Sequence, residues 1–326
     1  MTTVDIASRF QIPQPVSVEP FGGGLLHGTH IVRTNDGAFV MQRLHPVTSD
    51  AAIQDARVVG EFLASRGFQV PVPRLSKDGA VLVRDGGDRW RLYPMIVGEG
   101  FDVVGSAEMA RDAGRIVGEM HRHLHELDYE PQGGIPHFHD TAFVVGELRS
   151  VVDQLPRSVG QIGRRIVDEL PALIVDECAA RESKGVIHAD LKISNLLFAD
   201  GRAVAVIDMD TLMRHFRVID LGDAFRSWCA TSTEDDPSLD FNTELFTAAV
   251  DGYAQGFSGA VNRQLFLRAT QQIGWELAAR FLIDVVRDDY FGFDGTRYAS
   301  RRDHNMARAI AQFRLGEAVA RFRGMV

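Results

Sequence analysis

The apolar residues of this chain change rhythm near Pro94, and that change confines it to a β-rich part followed by a mainly helical one. Before Pro94, the short apolar runs 30–33 and 39–41 flank the turn Asn35-Asp36-Gly37. Runs 80–83 and 90–93 flank Asp85-Gly86-Gly87 in the same way, so two hairpins are expected. Between them, residues 49–66 read as a helix, with Ala52, Ala56, Val59 and Leu63 on one face and Gly67 as the stop. Beyond Pro94, residues 106–127 form a long amphipathic pattern through Ile116, Val117, Met120 and Leu124. Further helical patterns cover 143–154, 164–181, 243–255, 264–286 and 305–323, and strands are expected in this half only between 186 and 208. The expectation is an α+β fold of two lobes, residues 1–96 and 97–326, with the boundary near Pro94 to Gly100 and a cleft between them.

Composition narrows the function. A chain of 326 residues, 45% apolar and 24% charged, can bury a core without disulfides. The 35 basic and 44 acidic residues give a net charge of −9, which argues against a general nucleic-acid binder. Cys178 and Cys229 are the only cysteines, pointing to a reducing compartment. No stretch approaches the ~20 apolar residues of a membrane span, and the N-terminus lacks the pattern of a secretory signal. A cytoplasmic protein acting on a small molecule is expected, with its oligomeric state left open.

The chemistry concentrates in VIHADLKISNLLFADGRAVAVID, residues 186–208. Asp190 sits in a polar loop after a short apolar run; Asn195 follows by five positions; Asp208 ends a second run after the turn Asp200-Gly201. With a two-residue turn, Asn195 faces Val206 and Asp208 is its diagonal neighbour, roughly 7–8 Å away. An amide oxygen and a carboxylate so placed can converge on a hard cation such as Mg²⁺. Asp190, just upstream, is placed to act beside the metal as a base.

His188-x-Asp190 followed by Asn195 and a strand-terminal Asp208 resembles the catalytic loop and metal-binding Asp of the protein-kinase-like fold. Within it, the chain is similar to the aminoglycoside/choline phosphotransferases. The string IDMDTLMRHFRVIDLGDAFRS, with KISN before it, is closer to the N-acetylhexosamine 1-kinase group; GGGLLHGTHIV, FVMQRLHP, WRLYPMIVG, IPHFHDT and FLIDVVRDDYF agree with it. The resemblance implies a bilobal kinase that uses ATP and Mg²⁺, with a nucleotide-binding lobe before a catalytic and substrate lobe. It implies Asp190 as base, Asn195 and Asp208 as Mg²⁺ ligands, and Gly22, Gly23, Gly24 and Thr29 over the ATP phosphates. Tyr93 to Ile96, Met95 included, would form the hinge at adenine. The acceptor would be the anomeric hydroxyl of an N-acetylhexosamine, with His139, Arg287 and Tyr290 in its pocket.

The sequence also departs from the pattern. The phosphate-binding Lys of the small lobe is replaced at Gln42, with Arg43 beside it; neighbouring strand residues point to opposite faces, so one of the two points away. No matching helix Glu is identified. Lys192 is placed to assist the transferring phosphoryl group. Asp208 opens no D-F-G sequence and no long activation segment follows, which disfavours a protein kinase. The alternatives are a phosphotransferase for choline, homoserine, an aminoglycoside or another small alcohol, and a pseudokinase that binds nucleotide without transfer. His188 reads as a brace for the loop, and His121, His123 and His125 as a packed or solvated helix end. Asp223 reads as structural.

Overall fold

The structure is a computed structural model that describes residues 2–22, 27–175 and 183–325. A short helix α1 (Thr3–Ala7) precedes strands β1 (Ser17–Pro20), β2 (Gly28–Thr34) and β3 (Gly37–Arg43); helix α2 (Asp50–Ser65) and strands β4 (Val83–Asp85) and β5 (Asp88–Pro94) follow. The strands form one antiparallel sheet in the order β1-β2-β3-β5-β4. Alternation gives the sheet two different faces. Val32, Phe39, Met41, Trp90 and Leu92 point to one side and pack with Ile6 and Phe10, so α1 and the turn after it cap that core. The opposite face presents Thr29, Gln42, Arg91 and Tyr93, with Gln42 and Arg91 direct register partners. Helix α2 starts where Ser49 accepts from the Ala52 amide, and its face Ala56, Val59 and Leu63 packs into the large core described next.

The second part contains helices α3 (Ala107–Leu124), α4 (Thr141–Val151) and α5 (Arg157–Glu169), then strands β6 (Gly185–Ile187), β7 (Leu196–Ala199), β8 (Arg202–Val206) and β9 (Met213–His215). Helices α6 (Arg217–Trp228), α7 (Thr243–Phe257), α8 (Arg263–Arg287) and α9 (Arg301–Arg323) complete it. The large core gathers the apolar faces of α2, α3, α6 and α7 with those of the short strands; Phe225 and Trp228 are fully buried in it. Helices α3 and α7 cross at their glycines. A Cβ on Gly252 would lie 1.8 Å from the Arg111 carbonyl oxygen, and one on Gly114 2.0 Å from that of Ala249. The two backbones therefore touch directly. A second core joins α4 and α5 to α8 and α9 around Trp275.

Two contacts tie the chain after β5 to β7. Glu99 donates its amide to the Phe198 carbonyl at 2.8 Å and accepts from the Phe198 amide at 2.9 Å. Gly98 lies so close that a Cβ would meet the Leu197 Cβ at 2.9 Å. Among the described residues no helix is long and apolar enough to cross a membrane.

The expectation of an α+β fold with a sheet before a mainly helical part holds; several bounds do not. The helix expected over 164–181 begins at Arg157, after Pro156, and ends at Glu169, where Pro171 enters a 3-10 turn. Residues 176–182, Cys178 among them, lie outside the described residues. Strands are not confined to 186–208, because β9 pairs with β6. The hairpin register also differs from the arithmetic. Val204 is an extra residue in β8, so Leu196, not Asn195, faces Val206.

Candidate active site

The loop between β6 and β7 is held at nearly every peptide group, which is what a buried non-repetitive segment requires. Asp220 on α6 accepts the amides of His188 and Ala189 at 2.9 and 2.7 Å. The His188 carbonyl accepts from Thr211 at 2.8 Å, and the Ala189 carbonyl faces His139 Nε2 at 2.9 Å. The indole of Trp228 donates to the Leu191 carbonyl at 2.8 Å, and the Ser227 hydroxyl accepts from the Ile193 amide at 3.0 Å. Asp220, Ser227 and Trp228 are seven and eight residues apart and so share one face of α6. His188 braces from inside: its Nε2 faces the Ile207 carbonyl at 2.9 Å while Nδ1 accepts the Asp190 amide at 3.3 Å.

This frame presents Asp190 half-buried, with Lys192 Nζ 2.7 Å from its Oδ2. Asn195 donates Nδ2 to the Asp190 carbonyl at 2.7 Å and to its Oδ2 at 3.1 Å. Oδ1 of Asp190 has no partner among the described residues. Burial pushes this carboxyl up, but Lys192 outweighs it and holds the group below the usual carboxylate range. Lys192 is moved the opposite way: burial lowers its pKa and Asp190 more than restores it.

Asp208 comes next along the site. The Ile207 amide donates to the Asn195 carbonyl at 2.9 Å, so Asn195 stands opposite Ile207 and Asp208 follows one residue beyond that pairing, not two as the spacing suggested. Asp208 leaves the strand in the left-handed region, at φ 66° and ψ 56°. Its side chain is solvent-accessible and has no hydrogen-bond or ion-pair partner among the described residues. Surrounding protein and then the Asp210 charge push its pKa up, against Arg91.

Asp210 is paired where Asp208 is not. Arg91, almost fully buried, reaches from β5 to its Oδ1, and His27 Nε2 lies 3.2 Å from Oδ2. Burial raises the Asp210 pKa, but Arg91 and His27 hold it far below the ordinary carboxylate range. Arg91 Nε donates to Gln42 Oε1 at 2.9 Å, and Gln42 Nε2 reaches Thr29 Oγ1 at 3.4 Å. Thr29, Gln42, Arg91 and Asp210 thus form one polar chain leading from β2 to the Asp208 loop.

Residues 17–259 match the family described as phosphotransferase enzyme family (APH). The chain belongs to that family. A homoserine kinase from Xanthobacter autotrophicus is 23% identical over 292 residues, spanning 86% of this chain and 83% of that protein. A microcompartment-associated aminopropanol kinase superposes with a TM-score of 0.67 at 16% identity, over 99% of this chain and 98% of its own. The amicoumacin kinase hAmiN, in complex with AMP-PNP, Ca²⁺ and Ami, gives 0.64 at 16% identity, over 94% and 91%.

The other expected site residues of this phosphotransferase are dispersed. Gly22 lies in an exposed turn, and Gly23 and Gly24 fall outside the described residues. Arg43 is on the face opposite Gln42, exposed, with Asp88 at 3.7 Å; the structure does not bring it to Asp208. Tyr93 is buried, its ring 5.0 Å from the Arg91 guanidinium, and Met95 is exposed with its amide bonded to Ala38. His139 is buried behind the loop, Nδ1 at 3.1 Å from Glu276. Arg287 pairs with Glu147 at the surface, and Tyr290 accepts from Arg280 at 3.3 Å, so neither touches the Asp190 loop. His121 is buried, with Nε2 3.0 Å from Asp220 and Nδ1 3.1 Å from the Tyr253 hydroxyl, so it steadies the same carboxylate that holds the loop. Asp223 accepts from Arg226 at 2.7 Å. Sequence reasoning missed Arg91, Asp220 and Glu276; the face shared by Asp220, Ser227 and Trp228 was the available signal for the second.

The donor set fits a divalent cation. Asn195 spends its Nδ2 on Asp190 and keeps Oδ1 without a donor among the described residues. Asp208 offers a carboxylate with no hydrogen-bond or ion-pair partner among the described residues. An amide oxygen and a carboxylate without other partners suit a hard cation that also takes phosphate oxygens.

Proposed function

We propose that this phosphotransferase transfers the γ-phosphoryl group of ATP to the hydroxyl of a small amino alcohol, with Mg²⁺ held by Asn195 and Asp208. The observation that carries the reading is Asn195, whose single amide fixes Asp190 while its backbone carbonyl takes the amide of Ile207, the residue before Asp208. The acceptor oxygen attacks the γ-phosphorus, the bond to the β–γ bridging oxygen breaks, and ADP leaves. The hydroxyl proton passes to Asp190 Oδ1, the oxygen left free by Lys192 and Asn195. A carboxylate held below its usual pKa is ionised at neutral pH and orients the hydroxyl more than it pulls the proton early. Lys192 offsets charge as it develops on the transferred group, and the bound cation supplies electrostatic stabilisation of the phosphates. In this reading residues 1–96 hold the nucleotide, with Gly22 to Gly24 and Thr29 over the phosphates and Tyr93 and Met95 at the base, and residues 97–326 hold the acceptor.

The choice of an amino alcohol is supported by the homoserine and aminopropanol kinases that resemble the chain along most of its length. The test is ADP release from Mg-ATP over homoserine, 1-amino-2-propanol, choline, kanamycin and N-acetylglucosamine. Turnover on the amino alcohols is expected. Turnover confined to the N-acetylated sugar would replace the acceptor class with the anomeric hydroxyl, and ATP binding without turnover on any acceptor would favour a nucleotide-binding module.

A further inference from the structure

We infer that Arg91 on β5 is the cation that meets the nucleotide phosphates, standing in for the lysine that kinases of this fold carry on the third strand. This rests on the nucleotide-binding reading above. The third strand offers only Gln42 on the relevant face, a neutral side chain, and Arg43 turned outward to Asp88. Arg91 is the direct register partner of Gln42, so its side chain leaves the sheet from the same face one strand over.

Its contacts aim it at the site from two sides. Nε is fixed on Gln42 Oε1, which connects through Gln42 Nε2 to Thr29. Nη1 is fixed on Asp210, two residues beyond Asp208. Nη2 has no hydrogen-bond partner among the described residues. A planar guanidinium can keep Asp210 on one nitrogen and offer another to a phosphate oxygen, which a lysine ammonium on a flexible stem does less well. The Tyr93 ring, 5.0 Å away, supports the guanidinium.

The acidic partner has moved as well. The buried carboxylate of α2, Asp55, accepts from the Tyr129 hydroxyl and the amides of Gln132 and Gly133 at 2.6, 2.9 and 2.6 Å. It serves the loop before α4 and leaves Arg91 to Asp210. Cation and anchor have thus shifted together, from third strand and helix to fifth strand and the loop after Asp208.

The test is calorimetric binding of Mg-ATP, Mg-ADP and adenosine to wild type, Arg91→Gln and the exchange Gln42→Lys/Arg91→Gln, with circular dichroism to confirm folding. Losing one charge-assisted contact is expected to weaken ATP and ADP about tenfold or more and to leave adenosine unchanged. The exchange is expected to recover most of the lost affinity. Wild-type ATP affinity in folded Arg91→Gln would overturn the inference, as would equal weakening of ATP and adenosine, the mark of a prop. Should Arg91→Gln fail to fold, the exchange is read alone: folded and phosphate-selective supports the inference, folded and unselective overturns it. Failure of wild type to bind ATP would overturn the nucleotide reading itself, and this inference with it.

Discussion

Asp190 has almost every polar atom engaged before a substrate arrives: its amide on His188, its carbonyl on Asn195, Oδ2 on Lys192 and Asn195. Among the described residues only Oδ1 has no partner. Asp190→Asn preserves the size of the side chain and removes the proton acceptor, so turnover is expected to fall by about 10²–10⁴-fold. ATP affinity should stay nearly unchanged, and single-turnover rates beside calorimetry check both halves. A second residue-scale prediction concerns His139, whose two nitrogens both face acceptors, Ala189 and Glu276. Burial pushes its pKa down, but Glu276, with Asp223 farther off, raises it above the ordinary 6.5; Glu276 in turn is held below 4.5, its neighbours outweighing burial. The histidine's contribution is complete below pH 6.5 and is lost as pH rises through its folded value. The glutamate's is complete above pH 4.5 and is lost as pH falls through its own. His215, packed nearby and pushed down to about 4, is neutral through this window. The melting-temperature gap between wild type and His139→Gln is therefore expected to be widest at about pH 5.5 and smaller at about pH 9; a gap independent of pH would remove the charged pair.

At the scale of elements, the crossing of α3 and α7 is governed by the absence of side chains. Gly252→Ala puts a methyl group 1.8 Å from the Arg111 carbonyl, backbone against backbone, where no rotamer change relieves it. Overpacking of this kind costs about 1–3 kcal/mol or more, which lowers the melting temperature by several degrees in a protein of this size. Gly146→Ala, with nothing within 4 Å of the new carbon, is the control and should not melt earlier. Sequence reading found these helices because their apolar faces repeat, but it could not see the crossing, since a glycine in a helical pattern looks only like a weak helix former. It placed the Asp190 loop and the hairpin after it, because those residues are chemically unusual at fixed spacing. It missed the register, because Val204 carries no local sign of being the extra residue. Helix α6 escaped as an anchor for another reason: Asp220, Ser227 and Trp228 are ordinary residue types until the loop they hold is seen in space.

For the molecule as a whole, the change of period near Pro94 was enough to foresee a sheet before helices, and the sheet ends at Pro94. The same reading treated α2 as part of the sheet's half, yet its apolar face lies in the core shared with α3 and α6. A repeating pattern tells which side of a helix is buried, not against what. Arg91 escaped for a related reason, since its meaning depends on standing opposite Gln42. Two connections leave the sheet for the helices, after β3 and after β5, and the second is fastened at both ends of a short stretch. The Met95 amide is fastened to Ala38 on β3, and by Gly98 and Glu99 the chain is already fastened to β7, the strand that follows Asn195. Between the two fastenings Ile96 and Val97 make no backbone hydrogen bond among the described residues. A residue inserted there would leave Asp190, Asn195 and Asp208 in their loop and spoil the aim of the sheet over the hairpin.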